Sequence, residues 1–150
     1  MIYNHTQKAR LMEFILLALI LLFAFILSST GFEPIAFATM LLVVMIVISF
    51  ITLNVTIDDK SLGIKFGYGI FRKKFPLNEI TSAKTVKNSW YYGWGIRLWL
   101  WPKMWIFNVS GYDAVEIKMK DGKIYRIGTD EPNELERAIL EATNLKAAEA

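Results

Sequence analysis

Leu11–Thr30 reads LMEFILLALILLFAFILSST, and Ile35–Leu53 reads IAFATMLLVVMIVISFITL. Each run holds about 20 residues, which at 1.5 Å per residue spans the ~30 Å hydrocarbon core of a bilayer. Between Leu11 and Leu53 the only charged side chains are Glu13 and Glu33. Neither run carries a polar stripe wide enough for a surface helix, and a domain this small cannot hide two such helices from water. The spacing therefore predicts two membrane helices, over about 11–30 and 35–53. Ser28-Ser29-Thr30-Gly31-Phe32-Glu33-Pro34 joins them, its Gly and Pro breaking the helix. So short a connection forces the helices antiparallel.

Orientation follows from the basic residues. Lys8 and Arg10 precede the first run, the joining loop has neither Lys nor Arg, and Lys60, Lys65, Arg72, Lys73 and Lys74 follow the second. The positive-inside rule puts both termini in the cytoplasm and the loop outside. Residues 1–53 are then a lead and a multi-pass anchor, and 54–150 a cytoplasmic domain. A cleaved signal peptide fits less well, because the apolar run is too long and no small-residue cleavage site follows. Glu13 lies one turn into the first helix, shallow enough to reach water or Arg10; the alternative is a functional intramembrane carboxylate.

Composition narrows the chemistry. The 150 residues are 54% hydrophobic, with no Cys, one His and a net charge of +3. Thiolate metal sites and disulfides are excluded by the lack of Cys. A His-based triad and multi-histidine metal sites are excluded because His5 stands alone in the N-terminal lead. Ser–Lys and paired-carboxylate mechanisms stay formally open, but no spacing argues for either. No cofactor and no catalytic residue is expected. The basic excess suits an anionic membrane surface; a nucleic-acid binder needs a denser stripe.

From Leu53 the period switches to two. Leu53, Val55 and Ile57 alternate with polar residues, then Leu62, Ile64 and Phe66 do the same after an Asp58–Ser61 turn. Ile70–Phe75 makes a third strand, with Phe71, Lys73 and Phe75 on one face and Ile70, Arg72 and Lys74 on the other. A helical turn at Pro76–Ile80 leads to a strand near Thr81–Val86. Two strands are expected within Trp90–Phe107, split around Pro102-Lys103. Ala114–Lys120 and Lys123–Gly128 flank Asp121-Gly122, a strong hairpin signal. A helix over about 131–143 closes the chain, with Asp130 as N-cap and Leu135, Ala138, Ile139 and Ala142 on its inner stripe. The polar tail from Asn144 is expected to fray. About seven antiparallel strands in hairpin order, plugged by one helix, is the layout of a small closed β-barrel, the pleckstrin-homology-like (PH-like) barrel being one of several that fit.

Trp90-Tyr91-Tyr92-Gly93-Trp94-Gly95-Ile96-Arg97 is followed by Trp105-Ile106-Phe107-Asn108-Val109-Ser110-Gly111. Val115-Glu116-Ile117, Asp121-Gly122-Lys123 and Ile127-Gly128-Thr129-Asp130-Glu131-Pro132 come next. In this order the set resembles the bacterial PH-like domain family, small domains often attached to one or two membrane helices. The resemblance implies a mainly-β PH-like barrel in a prokaryotic cytoplasmic membrane, and no catalytic residues. Leu98-Trp99-Leu100-Trp101 departs from it, where a more polar strand end is expected.

All five tryptophans lie between Trp90 and Trp105. Core packing accounts for part of them; consecutive apolar residues at Leu98–Trp101 argue that the rest meet a bilayer or a partner, since a strand buried on one face alternates. Trp90, Tyr92, Trp94, Arg97, Trp99, Trp101 and Trp105 are the candidate contact residues. Arg97 can grip a phosphate or carboxylate, or stack on a ring. Lys65, Arg72, Lys73 and Lys74 are candidates for anionic lipid, at up to ~1 kcal/mol per charge. Gly93 and Gly95 lack the Lys-Ser/Thr ending and the helix of a phosphate loop. The expected function is non-enzymatic: a protein-binding or assembly module at the cytoplasmic membrane face, its partner another membrane protein or a second copy. A sensor of anionic lipid is the alternative, and a transport-associated subunit or an enzyme comes third.

Overall fold

The computed structural model describes residues 2–144. Ahead of the first helix, Tyr3–Lys8 forms a strand, β1, which pairs antiparallel with β2 (Thr52–Ile57) from Tyr3↔Ile57 to Lys8↔Thr52. The two apolar runs therefore lie inside a β-hairpin, between adjacent strands of one sheet. The N-terminal lead belongs to the domain and is no free tail. Tyr3, His5 and Gln7 face inward and Asn4, Thr6 and Lys8 outward. The inward set is polar enough to hide the period-two pattern from a hydrophobicity reading.

Helix α1 covers Arg10–Thr30, 21 residues with a mean hydropathy of 2.8. Among the described residues it is the one helix long and apolar enough to cross a membrane. Helix α2, Pro34–Ile48, has 15 residues, so the expected helix over 35–53 stops early. Thr52 and Leu53 belong instead to β2, held there by pairing with Lys8 and Gln7, and Ser49–Ile51 turns the chain between helix and strand. Glu33 caps α2, its carboxylate accepting from the Ala36 N–H at 2.8 Å, with Pro34 at the first helical position. Neither helix buries a single residue.

β3 (Ser61–Phe66) and β4 (Arg72–Pro76) complete a four-stranded antiparallel sheet in the order β1-β2-β3-β4. Asp58 sets the β2–β3 turn, accepting from the N–H groups of Lys60 (2.9 Å) and Ser61 (2.7 Å); these bonds hold its carboxyl below the ordinary 3.8. A 3-10 turn at Leu77–Glu79 leads into the second sheet. That sheet comprises β5 (Ile80–Lys87), β6 (Gly95–Leu100), β7 (Lys103–Asn108), β8 (Asp113–Met119) and β9 (Ile124–Gly128). Its order is β5-β8-β9-β7-β6, with β7 and β9 parallel.

The expected closed barrel is thus not formed. Two sheets face one another, and among the described residues nine strands replace the expected seven or so. The departure from hairpin order is local. The β6–β7 hairpin lies beyond β9 rather than between β5 and β8, which leaves β6 as a free edge. Period-two patterning locates strands but does not say which distant strand a hairpin will pair with.

The core lies between the sheets and under the last helix, α3 (Pro132–Thr143). Leu53, Ile57, Leu62, Phe66, Phe75, Ile117 and Ile127 are fully buried there with Leu135 and Ile139 of α3, each stabilising the fold by about 1.5–3 kcal/mol. The N-cap of α3 is Glu131, not the expected Asp130. Asp130 is drawn instead to His5 Nε2 at 2.6 Å, which ties β1 to the start of the helix. The polar tail beyond Asn144 lies outside the described residues.

Candidate functional site

β6 and the segment before it decide what the aromatic run can do. Across the outer face of the second sheet, Trp90–Tyr92 forms a 3-10 turn ahead of β6. Tyr92 packs on Trp99 with ring centroids 4.7 Å apart, and Tyr91 reaches the same indole at 5.5 Å. Met104 and Ile106, on the same face of neighbouring β7, are fully buried although they lie outside the main core. Arg126 fastens this second, smaller cluster. Its guanidinium donates to Glu116 Oε2 at 2.9 Å and to Asn88 Oδ1 at 3.3 Å, and lies 5.7 Å from the Tyr92 ring centre. Tyr92 and Trp99 are therefore packing residues.

Two tryptophans are not. Trp90 is 77% exposed and Trp101 89%, and Leu98 and Leu100 on the β6 edge are exposed with them. Trp94 is half-buried; its carbonyl accepts from Arg97 Nε at 3.3 Å, folding that guanidinium back onto its own loop. Arg97 faces solvent and has no carboxylate within ion-pair distance among the described residues. Trp105 belongs to the inner face, where the sheets splay. It lines a groove of about 220 Å³ with Ile64, Phe66, Ile70, Phe71, Arg72, Lys73, Ile96 and Phe107. The candidate contact residues thus divide into a packed pair, a groove wall and a projecting rim.

The basic residues divide as the alternation requires. Lys65, Arg72 and Lys74 point outward from the first sheet, Lys65 directly opposite Arg72 and Lys74 opposite Gly63. With Asn54 and Thr56 they line an open polar depression. None has a carboxylate within 4.0 Å among the described residues. Lys73 takes the other face, its ammonium 4.7 Å from the Tyr125 ring centre and 5.7 Å from that of Phe75. It is an aromatic-stacked structural lysine rather than a member of the outward set.

Compared with family models, curated proteins and solved structures, the chain matches none.

Its function has to be read from its own geometry. Among the described residues, no group of three or more His, Cys, Asp and Glu is placed to hold a metal ion. Two features lay beyond the sequence reading. The Glu116–Arg126–Asn88 network joins three strands or loops that only the fold brings together. The short loop Gly67–Phe71 carries three exposed apolar side chains at the foot of α2, and the Tyr and Phe in a Gly-rich turn were a signal that sequence could have given.

Proposed function

We propose that this chain is a non-enzymatic, membrane-anchored module of PH-like type, held at the cytoplasmic face by a two-helix hairpin and offering its β6 edge to a protein partner. The observation that carries this reading is the free edge itself. A strand paired on one side only, to β7, and carrying exposed Leu98 and Leu100 beside exposed Trp90 and Trp101, is a template for another chain and a liability if left bare. Aromatic side chains are also the residues that dominate protein interfaces.

Exposure and charge support the anchor. Phe14, Leu21, Phe25, Ile35 and Leu42 stand uncovered on α1 and α2, tolerable in lipid and costly in water. Basic residues gather at the end where the helices meet the sheet, and the far loop has none. Both ends of the hairpin enter one sheet side by side, at Lys8 and Thr52, which supports a two-pass anchor with the domain on one side of the bilayer.

A second reading has its own support. Among the described residues the outward Lys65, Arg72 and Lys74 have no carboxylate within 4.0 Å, and they suit anionic headgroups. One experiment separates the two: photo-crosslinking in native membranes, comparing wild type with Leu100→Asp and with Trp101→Ala. Both sites are exposed, so folding is unaffected. The edge reading expects one discrete crosslinked protein species, lost in both variants. Crosslinks to lipid alone, unchanged by either substitution, would leave the basic face as the working surface.

A further inference from the structure

The β3–β4 loop, Gly67-Tyr68-Gly69-Ile70-Phe71, is bound to the cytoplasmic end of α2. Tyr68 Oη donates to the Met45 carbonyl at 2.8 Å, an acceptor that also receives Ser49 N–H (3.1 Å) and Ser49 Oγ (2.9 Å). Gly67 N–H donates to the Thr52 carbonyl at 2.9 Å. Gly67 sits at φ +49°, and a Cβ there would fall 2.7 Å from the Ser49 carbonyl oxygen, so loop and helix backbones are in direct contact. Phe50, in the turn after α2, stacks on Phe71 at 5.3 Å.

Although so firmly held, the loop turns its apolar side chains outward. Tyr68 is 54% exposed, Ile70 62% and Phe71 43%. No acidic residue lies between Phe66 and Lys74. Cations begin where the loop ends: Arg72 follows Phe71, Lys65 lies directly opposite it, and the Lys65 stem runs across Gly69. Lys8 and Arg10 flank the neighbouring helix at the same end.

Length supplies the remaining argument. Fifteen residues of α2 give about 22 Å, roughly 8 Å short of a ~30 Å hydrocarbon core. The deficit closes if the foot of the domain sinks to the headgroup level, so that Phe50, Ile51, Ile70 and Phe71 extend the apolar column. Tyr68 then has the place amphipathic rings favour, with lysine and arginine reaching the phosphates above it. We infer that Gly67–Phe71 is a lipid-facing wedge, seated in the interfacial layer beside the hairpin and fixing the domain's height and tilt on the bilayer. The occupant of this surface is phospholipid.

The inference rests on the membrane hairpin proposed above, and its test separates the two. The chain has no Cys, so full-length Ile70→Cys, Leu21→Cys and Asp59→Cys can each be spin-labelled and reconstituted in phosphatidylcholine–phosphatidylglycerol vesicles. All three positions are exposed, so the labels leave packing intact. Collision with oxygen, which partitions into lipid, is compared with collision with a water-soluble nickel chelate. The wedge predicts loss of nickel collision at Ile70, as at Leu21, with Asp59 fully accessible to nickel. Adding Gly67→Val, which forces the loop off α2, is expected to shift the Ile70 label toward water. An Ile70 label as nickel-accessible as Asp59, with Leu21 in lipid, overturns the wedge and leaves the hairpin standing. Nickel access at Leu21 overturns both.

Discussion

A chain in which Arg10–Phe50 is replaced by a two-residue Asn-Gly turn is expected to fold as a water-soluble domain, whereas a fragment beginning at Asn54 is expected to stay unfolded. The first expectation follows from the exit geometry. Ala9 N–H donates to the Ile51 carbonyl at 2.7 Å, one step beyond the Lys8↔Thr52 pair. A tight turn joining Ala9 to Ile51 therefore continues a ladder that already exists, and Asn-Gly is the sequence such turns prefer. The second follows from what the cut removes. Ala9 and Leu53, both fully buried, leave the core. All of β1 goes with them, including the His5–Asp130 contact and the Gln7 bond to the Ser110 carbonyl. A buried leucine alone is worth about 2–5 kcal/mol, against a total of about 5–15 kcal/mol for a domain. Urea unfolding followed by far-ultraviolet circular dichroism distinguishes the two constructions. A fragment from Asn54 that unfolds cooperatively at the same midpoint would mean that β1 is dispensable.

Arg126→Ala is expected to cost about 3–5 kcal/mol, because it leaves the Glu116 carboxylate buried without its main partner. Among the described residues Glu116 keeps only Lys84, at 3.6 Å and half-exposed, and an exposed cation contributes about 0–1 kcal/mol. Lys84→Ala is accordingly expected to fall in that smaller range. The loss at Arg126 has a local signature too. Tyr92 and Asn88 both lean on its guanidinium, so the Trp90–Trp94 segment loosens from the outer sheet face. Near-ultraviolet circular dichroism of the Tyr92–Trp99 cluster is expected to weaken before the global transition. An Arg126→Ala unfolding free energy within about 1 kcal/mol of wild type would show that the network does not hold the fold.

Particular residues mark where the sequence was legible. Strict alternation located β2 and β3, and it also set Lys73 with Phe75 and Arg72 with Lys74 on opposite faces. The stripe Leu135, Ala138, Ile139 located α3. β1 escaped because its inward residues are Tyr, His and Gln, and a hydrophobic pattern cannot register them. The end of α2 escaped for the opposite reason. Ile51-Thr52-Leu53 is as apolar as the helix before it, and only pairing with β1 makes part of it strand. Within the aromatic run, composition announced a surface without sorting it. Tyr92 and Trp99 are drawn inward by Met104, Ile106 and Arg126, residues supplied by other strands. Trp90 and Trp101 have no such neighbours. The parallel pairing of β7 with β9 is a long-range choice that no local pattern encodes, and it is what makes β6 an edge.

The central claim is that the hairpin crosses the membrane twice and returns to the side it left. Phe32 lies at the tip between α1 and α2, and Asp59 on the turn at the far end of β2. Single Phe32→Cys and Asp59→Cys variants of this cysteine-free chain, treated in intact cells with a membrane-impermeant maleimide, read the two sides directly. Labelling is expected at Phe32→Cys in intact cells, and at Asp59→Cys only after the membrane is opened. Labelling of both positions from the same side would contradict it.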